Sequence, residues 1–172
     1  MVERTEAAKT PLYQEHLACG GKMVDFAGWM MPVNYGSQIE EHMAVRQDAG
    51  MFDVSHMTII DVHGSQAQSL LRRLVANDVA KLNVYQALYG ALLNDQAGVI
   101  DDLIVYRLPE GFRCVVNAST RDKVLAWMQR HAVADAEFQH KPQVMIAVQG
   151  PQAIQRVLEV EAVSGLADLK PF

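Results

Sequence analysis

The stretch Gly98–Tyr106, GVIDDLIVY, decides how this chain is read. Val99, Ile100, Leu103, Ile104, Val105 and Tyr106 are strand formers, whereas Asp101 and Asp102 are residues that strands and interiors exclude unless partnered. The two acids need donors. Working outward, Leu108, Pro109, Glu110 and Gly111 are turn residues between Val99–Arg107 and Phe112–Ala118, which predicts a β-hairpin. Pairing Arg107 with Phe112 sets Tyr106 opposite Arg113, Ile104 opposite Val115 and Asp102 opposite Asn117. Alternation then puts Ile100, Asp102, Ile104 and Tyr106 on one side and Val99, Asp101, Leu103 and Val105 on the other. Asp102 gains the Asn117 amide as a cross-strand donor, so an acid, an amide and a tyrosine share one face. Two readings of that face stand: it grips a small polar ligand in an apolar pocket, or Asp102 and Asn117 simply satisfy each other. Asp101, on the other side, is expected to bond backbone groups or a surface arginine and is assigned no chemistry.

Beyond the hairpin the pattern predicts an α+β fold. A short helix is expected within Thr5–Cys19, then a strand and an irregular connection over Lys22–Tyr35. Ser37, with Glu40 three residues on, starts a helix that Gly50 is expected to end. Thr58–His63 reads as a strand, turned by Gly64 and Ser65 into a helix over Gln66–Ala76 whose Ala67, Leu70, Leu71 and Leu74 fall at helical spacing. Ala87–Leu93, Val99–Tyr106 and Phe112–Asn117 are three strands, followed by a helix over Arg121–His131 with Val124, Leu125 and Met128 inward and a last strand near Glu137. At Met145–Val148 a strand begins again, and VQGPQAI at Val148 repeats the grammar of VHGSQAQ at Val62. Two readings of the repeat stand: a chance match of a short motif, or a duplication that gives two α+β units, the second barely begun where the chain stops.

Composition narrows the partners. The chain has 172 residues, half of them hydrophobic, enough for a core in one or two domains. Its net charge of −5 arises from interspersed acids and bases with no Lys/Arg-rich block, which argues against nucleic acid. No apolar run has membrane-spanning length and the N-terminus carries no secretory signal, so a cytoplasmic protein without a membrane partner is expected. Cys19 and Cys114, far apart, are read as reduced core thiols. The six histidines show no metal-ligand spacing, so no metal is expected. Asp53, Ser55 and His56 within GMFDVSHM suggest a triad, but triads assemble from distant segments, and the run is read as fixing a turn.

Several long motifs in order carry a resemblance. KMVDFAGWMMPVNYGSQIEEHMAVRQDAGMFDVSHM at Lys22–Met57, NDVAKL at Asn77, ALYGALLNDQAGVIDDLIVY at Ala87–Tyr106 and VVNAS at Val115 together resemble the T-protein family of the glycine cleavage system, folate-dependent aminomethyltransferases. The resemblance implies a folate-binding aminomethyltransferase-like fold with the folate in a central channel between domains. It implies transfer of the one-carbon unit from an aminomethyl group on the lipoyl arm of H-protein to tetrahydrofolate, with release of ammonia. By that resemblance Asp102 is the catalytic acid nearest the reacting folate nitrogens, and Met57, Tyr89, Tyr106 and Asn117 line the folate pocket with it. The implied domains are 1–51 plus 141–172, a discontinuous and incomplete first domain, and 52–140, carrying the IDD hairpin.

Departures from the family pattern are small around the site. Ala97 stands where members usually have a glycine, and Tyr85 and Gln86 stand where Gly-Lys is common. Family chains also continue past the KPF segment at Lys170 into motifs and a C-terminal barrel domain that this sequence lacks. The chain is therefore expected to be an N-terminal portion, inactive by itself and prone to self-association through the surfaces it exposes. Two alternatives from the same reading are another folate-dependent one-carbon enzyme, a demethylase or an oxidase-associated transferase, and a non-catalytic folate-binding module.

Overall fold

A computed structural model of the chain describes residues 6–160. In chain order its elements are β1 (Ala8–Lys9), α1 (Tyr13–Ala18), β2 (Met23–Phe26), β3 (Trp29–Pro32), α2 (Gln38–Gln47), β4 (Gly50–Asp53), β5 (Thr58–His63), α3 (Ala67–Leu74), β6 (Ala87–Leu93), β7 (Val99–Leu108), β8 (Gly111–Val116), α4 (Arg121–Arg130), β9 (Glu137–Lys141), β10 (Ile146–Gln149) and α5 (Ala153–Val160). They fall into two units.

Residues Met57–Gln143 form one unit, built on a five-stranded antiparallel sheet in the order β6-β7-β8-β5-β9. Alternation assigns Ile60 and Val62, Leu103 and Val105, and Cys114 and Val116 to one face of that sheet. These residues cluster with Leu70, Leu71 and Leu74 of α3 and Val124 and Met128 of α4, so both helices cover the same face. The apolar positions of α3 recur at three- and four-residue steps, the stripe an amphipathic helix needs to lie on a sheet. The α+β layering expected from the sequence is found here. The opposite face carries Tyr89, Asp102, Ile104, Tyr106 and Val115, together with Asp61 and Arg113. Asp61 is only 3% exposed and accepts bonds from Arg113 Nε at 2.7 Å and Nη2 at 2.9 Å. That bidentate pairing holds the Asp61 carboxyl below the usual carboxylate range despite its burial.

The other unit comprises residues 6–56 and 144–160, with a three-stranded sheet, β1-β3-β2, and a two-stranded one in which β4 pairs with β10. Its turn at Asp53-Val54-Ser55 is closed by Asp53 Oδ1, which accepts from Ser55 N at 2.8 Å, and tied to Met145, whose amide donates to Ser55 Oγ at 3.0 Å. The DVSH run thus fixes a turn. Asp53 also accepts from Thr10 Oγ1 at 2.7 Å and pairs with His16 Nε2 at 2.9 Å. Burial would raise the Asp53 carboxyl, but the bonds from Ser55, Thr10 and His16 outweigh it and leave it lowered.

Three sequence expectations need correction. Gly50 does not end α2, which stops at Gln47; Gly50 opens β4 opposite Gln149, and the Val45 side chain occupies the place a Cβ would take, 2.3 Å away. Cys19 is not a core residue but exposed at the end of α1, whereas Cys114 is buried and its thiol pushed up to about 12 by desolvation. The changeovers between units lie after residues 56 and 143, not after 51 and 140. The reason is strand pairing: β4 and the following turn bond to β10 and Met145, while β9 runs on to Lys141 beside β5.

The repeated sequence grammar has a matching backbone geometry. After β5, Gln66 N donates to Asp135 O at 3.0 Å, Ala67 N to Gly64 O at 3.2 Å and Leu70 N to Gln66 O at 2.9 Å. After β10, Gln152 N donates to Asp48 O at 2.9 Å, Ala153 N to Gly150 O at 3.1 Å and Arg156 N to Gln152 O at 2.9 Å. The registers also correspond, since His63 pairs with Glu137, two residues past Asp135, and Gln149 with Gly50, two past Asp48. Each motif is a strand, a glycine and a helix docked on the carbonyl that follows a preceding helix. The glycines are obligatory, because Gly64 has φ +102° and Gly150 φ +128°, and a Cβ would stand 2.1 Å from Asp135 O and 2.5 Å from Asp48 O.

Candidate functional site

The hairpin of β7 and β8 pairs Arg107 with Phe112, Tyr106 with Arg113, Ile104 with Val115 and Leu103 with Val116, the register the turn residues predict. One step further places Asp102 opposite Asn117, just past the end of β8. Asn117 Nδ2 donates to Asp102 Oδ1 at 2.8 Å. On the other side of β7, β6 pairs Tyr89 with Ile104 and Ala91 with Asp102, so Tyr89 lies diagonally from the acid on the same face. Its hydroxyl donates to Asp102 Oδ2 at 2.5 Å. The tyrosine bonded to Asp102 is therefore Tyr89; Tyr106, expected to converge with the acid and the amide, sits two register steps along the face, half-buried.

The electrostatics follow from these bonds. The Tyr89 hydroxyl, aided by Asn117 and opposed by partial desolvation, holds the Asp102 carboxyl below the usual range, so it is ionised near neutrality. The same bond raises the Tyr89 phenol, which stays a donor. Tyr106 is raised by burial alone. Tyr89 is 63% exposed and offers an accessible aromatic face beside the carboxylate. Met57 is half-buried at the bend before β5; since Thr58 pairs with Val116, it occupies the register position opposite Asn117. The five sequence candidates thus lie on one face or at its end, and Tyr89, Asp102 and Asn117 form one hydrogen-bonded group.

Asp101 departs from its expected role. It bonds neither backbone nor arginine: its Oδ1 accepts from Asn117 Nδ2 at 3.0 Å and its Oδ2 from the Thr120 hydroxyl. Alternation places it correctly on the helix-bearing side, but Asn117 lies beyond β8, where the pleat no longer confines a side chain to one face. Thr120 escaped the sequence reading altogether. Its one local signal is its place immediately before the helix that starts at Arg121, where a threonine normally caps.

The turn that delivers the two acids is built on Asn94, whose Oδ1 accepts from Gln96 N at 3.0 Å and Gly98 N at 2.7 Å. Ala97 sits in this turn with φ +61°, a left-handed conformation that disfavours a Cβ. Ala97→Gly is accordingly expected to stabilise the chain by up to about 1 kcal/mol, the relief of left-handed strain less the added freedom of the unfolded chain. A chemical denaturation midpoint that falls rather than rises would count against this account of the turn.

Among the described residues no group of three His, Cys, Asp or Glu side chains is placed to hold a metal ion, and no helix is long and apolar enough to cross a membrane. Comparison with known proteins adds two findings. Residues 12–168 match the sequence model of the GCVT N-terminal domain family. Among solved structures, the chain is similar to glycine cleavage system aminomethyltransferase T from Bartonella henselae, with 37% identity, a TM-score of 0.85, and coverage of 89% of this chain and 43% of that one. The chain spans less than half the length of that relative.

Proposed function

The chain belongs to the GCVT N-terminal domain family, and from that premise we propose that its IDD hairpin binds tetrahydrofolate for aminomethyl transfer, with Asp102 as the catalytic residue. The observation that carries the reading is the Tyr89–Asp102–Asn117 group on the sheet face opposite the helices. Its chemistry suits a reduced pteridine. An ionised carboxylate accepts a hydrogen bond from a ring N–H and stabilises positive charge that develops on a reacting nitrogen, while the exposed ring of Tyr89 offers a stacking surface. Asp102 orients the folate and takes or returns a proton at that nitrogen; Tyr106, Met57 and Asn117 complete the wall. The one-carbon chemistry belongs to the folate.

The one-carbon donor in this reading is the aminomethyl-lipoyl arm of H-protein, and ammonia is the leaving product. The chain alone binds folate weakly and transfers little, because it spans under half of the relative it matches. It self-associates through apolar residues that the described structure leaves exposed, among them Met51, Phe52, Ile146 and Ile154. We place it in a reducing, cytoplasmic compartment on its two free cysteines. Calorimetric titration with tetrahydrofolate, then assay with lipoylated H-protein in a polypeptide of the relative's full length, tests the reading. Folate binding without transfer from H-protein would favour a demethylase, an oxidase-associated transferase or a binding module instead.

A further inference from the structure

We propose that Asp101 and Thr120 are positioning residues for Asn117, holding its side-chain amide so that its carbonyl oxygen faces the ligand as an acceptor; the proposal rests on the folate reading of the site. Asn117 Nδ2 has two hydrogens, and around it stand Asp101 Oδ1 at 3.0 Å, Asp102 Oδ1 at 2.8 Å and the Asp102 carbonyl at 3.3 Å. Two carboxylates thus claim the nitrogen. Turning the amide over would press Oδ1 against both, so its orientation is dictated by charge. Oδ1 accepts no hydrogen bond among the described residues, which leaves it as a directed acceptor beside the Asp102 carboxylate.

Thr120 supplies the second fixed point. It stands at the N-cap of α4, yet its side chain makes no capping bond; the hydroxyl donates to Asp101 Oδ2 instead. A residue of capping type thus directs its hydroxyl to Asp101 rather than to the start of its own helix. Asp101 in turn is committed at both oxygens, one to Thr120 and one to Asn117. The chain of contacts therefore runs from the start of α4, through Asp101, to the amide that flanks Asp102. A site with acceptors at both Asp102 and Asn117 Oδ1 fits a ligand with adjacent N–H donors, the pattern of a reduced pteridine ring.

The test uses the chain itself, with two readouts. In the first, the Asn117 side-chain amide protons are observed by NMR: in the native chain both exchange slowly, and in Thr120→Val and Asp101→Asn at least one exchanges faster. Thr120→Ser, which keeps the hydroxyl, restores the native behaviour. In the second, tetrahydrofolate affinity is measured alongside denaturation midpoints. Asp101→Asn weakens binding about tenfold, the scale of one lost hydrogen bond, in the native background and not at all in an Asn117→Ala background. Unchanged amide exchange in both variants overturns the proposal, as does an equal loss of affinity in the two backgrounds, which would mark Asp101 as a purely structural residue. If no tetrahydrofolate binds even in a polypeptide of the relative's full length, the folate reading fails, and the amide exchange alone decides whether Asp101 and Thr120 hold Asn117.

Discussion

Asp102→Asn, made in a polypeptide of the relative's full length that carries this sequence, lowers aminomethyl transfer at saturating folate by roughly 10²–10⁴-fold, the range for a lost acid–base group. The substitution keeps the size of the side chain and lets its oxygen still accept from Tyr89 or Asn117. What it removes is the negative charge, which those two donors keep in place at neutral pH by lowering the carboxyl. Folding should survive, because Asp102 is half-buried and lies outside the apolar core. Asp101→Asn is the control: acting only through Asn117, it costs far less in rate. Transfer rates for both variants, beside denaturation midpoints, check the assignment. Equal losses in the two would mean that the acid carried over from the family is misassigned by one position.

The second large effect is on stability. Gly64→Ala and Gly150→Ala each destabilise the chain by at least about 2 kcal/mol, the scale of a non-glycine residue held in a region reserved for glycine. Both positions have positive φ, and at both the added Cβ meets a backbone carbonyl that cannot move without breaking a helix-start hydrogen bond, to Gln66 in one motif and Gln152 in the other. The paired geometry also makes the two losses similar in kind. Gly28→Ala is a useful comparison, since it shares the positive φ but has nothing within 4 Å of the new Cβ. Its cost should be the smaller, and denaturation midpoints for the three variants read the difference. A Gly64→Ala chain as stable as the native one would contradict the docking geometry of the strand–glycine–helix motif.

Much of this was legible in the residues because turn chemistry fixes register. Once Leu108–Gly111 is a turn, every pairing from Arg107–Phe112 to Leu103–Val116 follows, and the structure has them all. β5 and β6 also match their expected bounds, each being an apolar run punctuated by turn residues. Less legible was anything that depended on a partner from elsewhere. Gly50 looked like a helix terminator because its strand partner Gln149 lies far along the chain. Tyr89 reaches Asp102 along a diagonal that only the register of β6 defines. Asp101 meets Thr120 because α4 begins just past the end of β8, beside the start of β7, a tertiary juxtaposition with no local signal. The family resemblance implied pocket roles for Met57 and Tyr89; spacing alone gave the Asp102–Asn117 pair and put Tyr106 on the same face, with no role attached.

The most direct test of the central claim, that folate is held at the IDD hairpin by Asp102, is an NMR titration of the isotope-labelled chain with tetrahydrofolate, repeated on Asp102→Asn. The account predicts saturable shifts concentrated at Tyr89, Asp102, Tyr106, Asn117 and Met57 in the native chain, and loss of most of that response in the variant. Shifts confined to other residues, or a response that Asp102→Asn leaves intact, would contradict it.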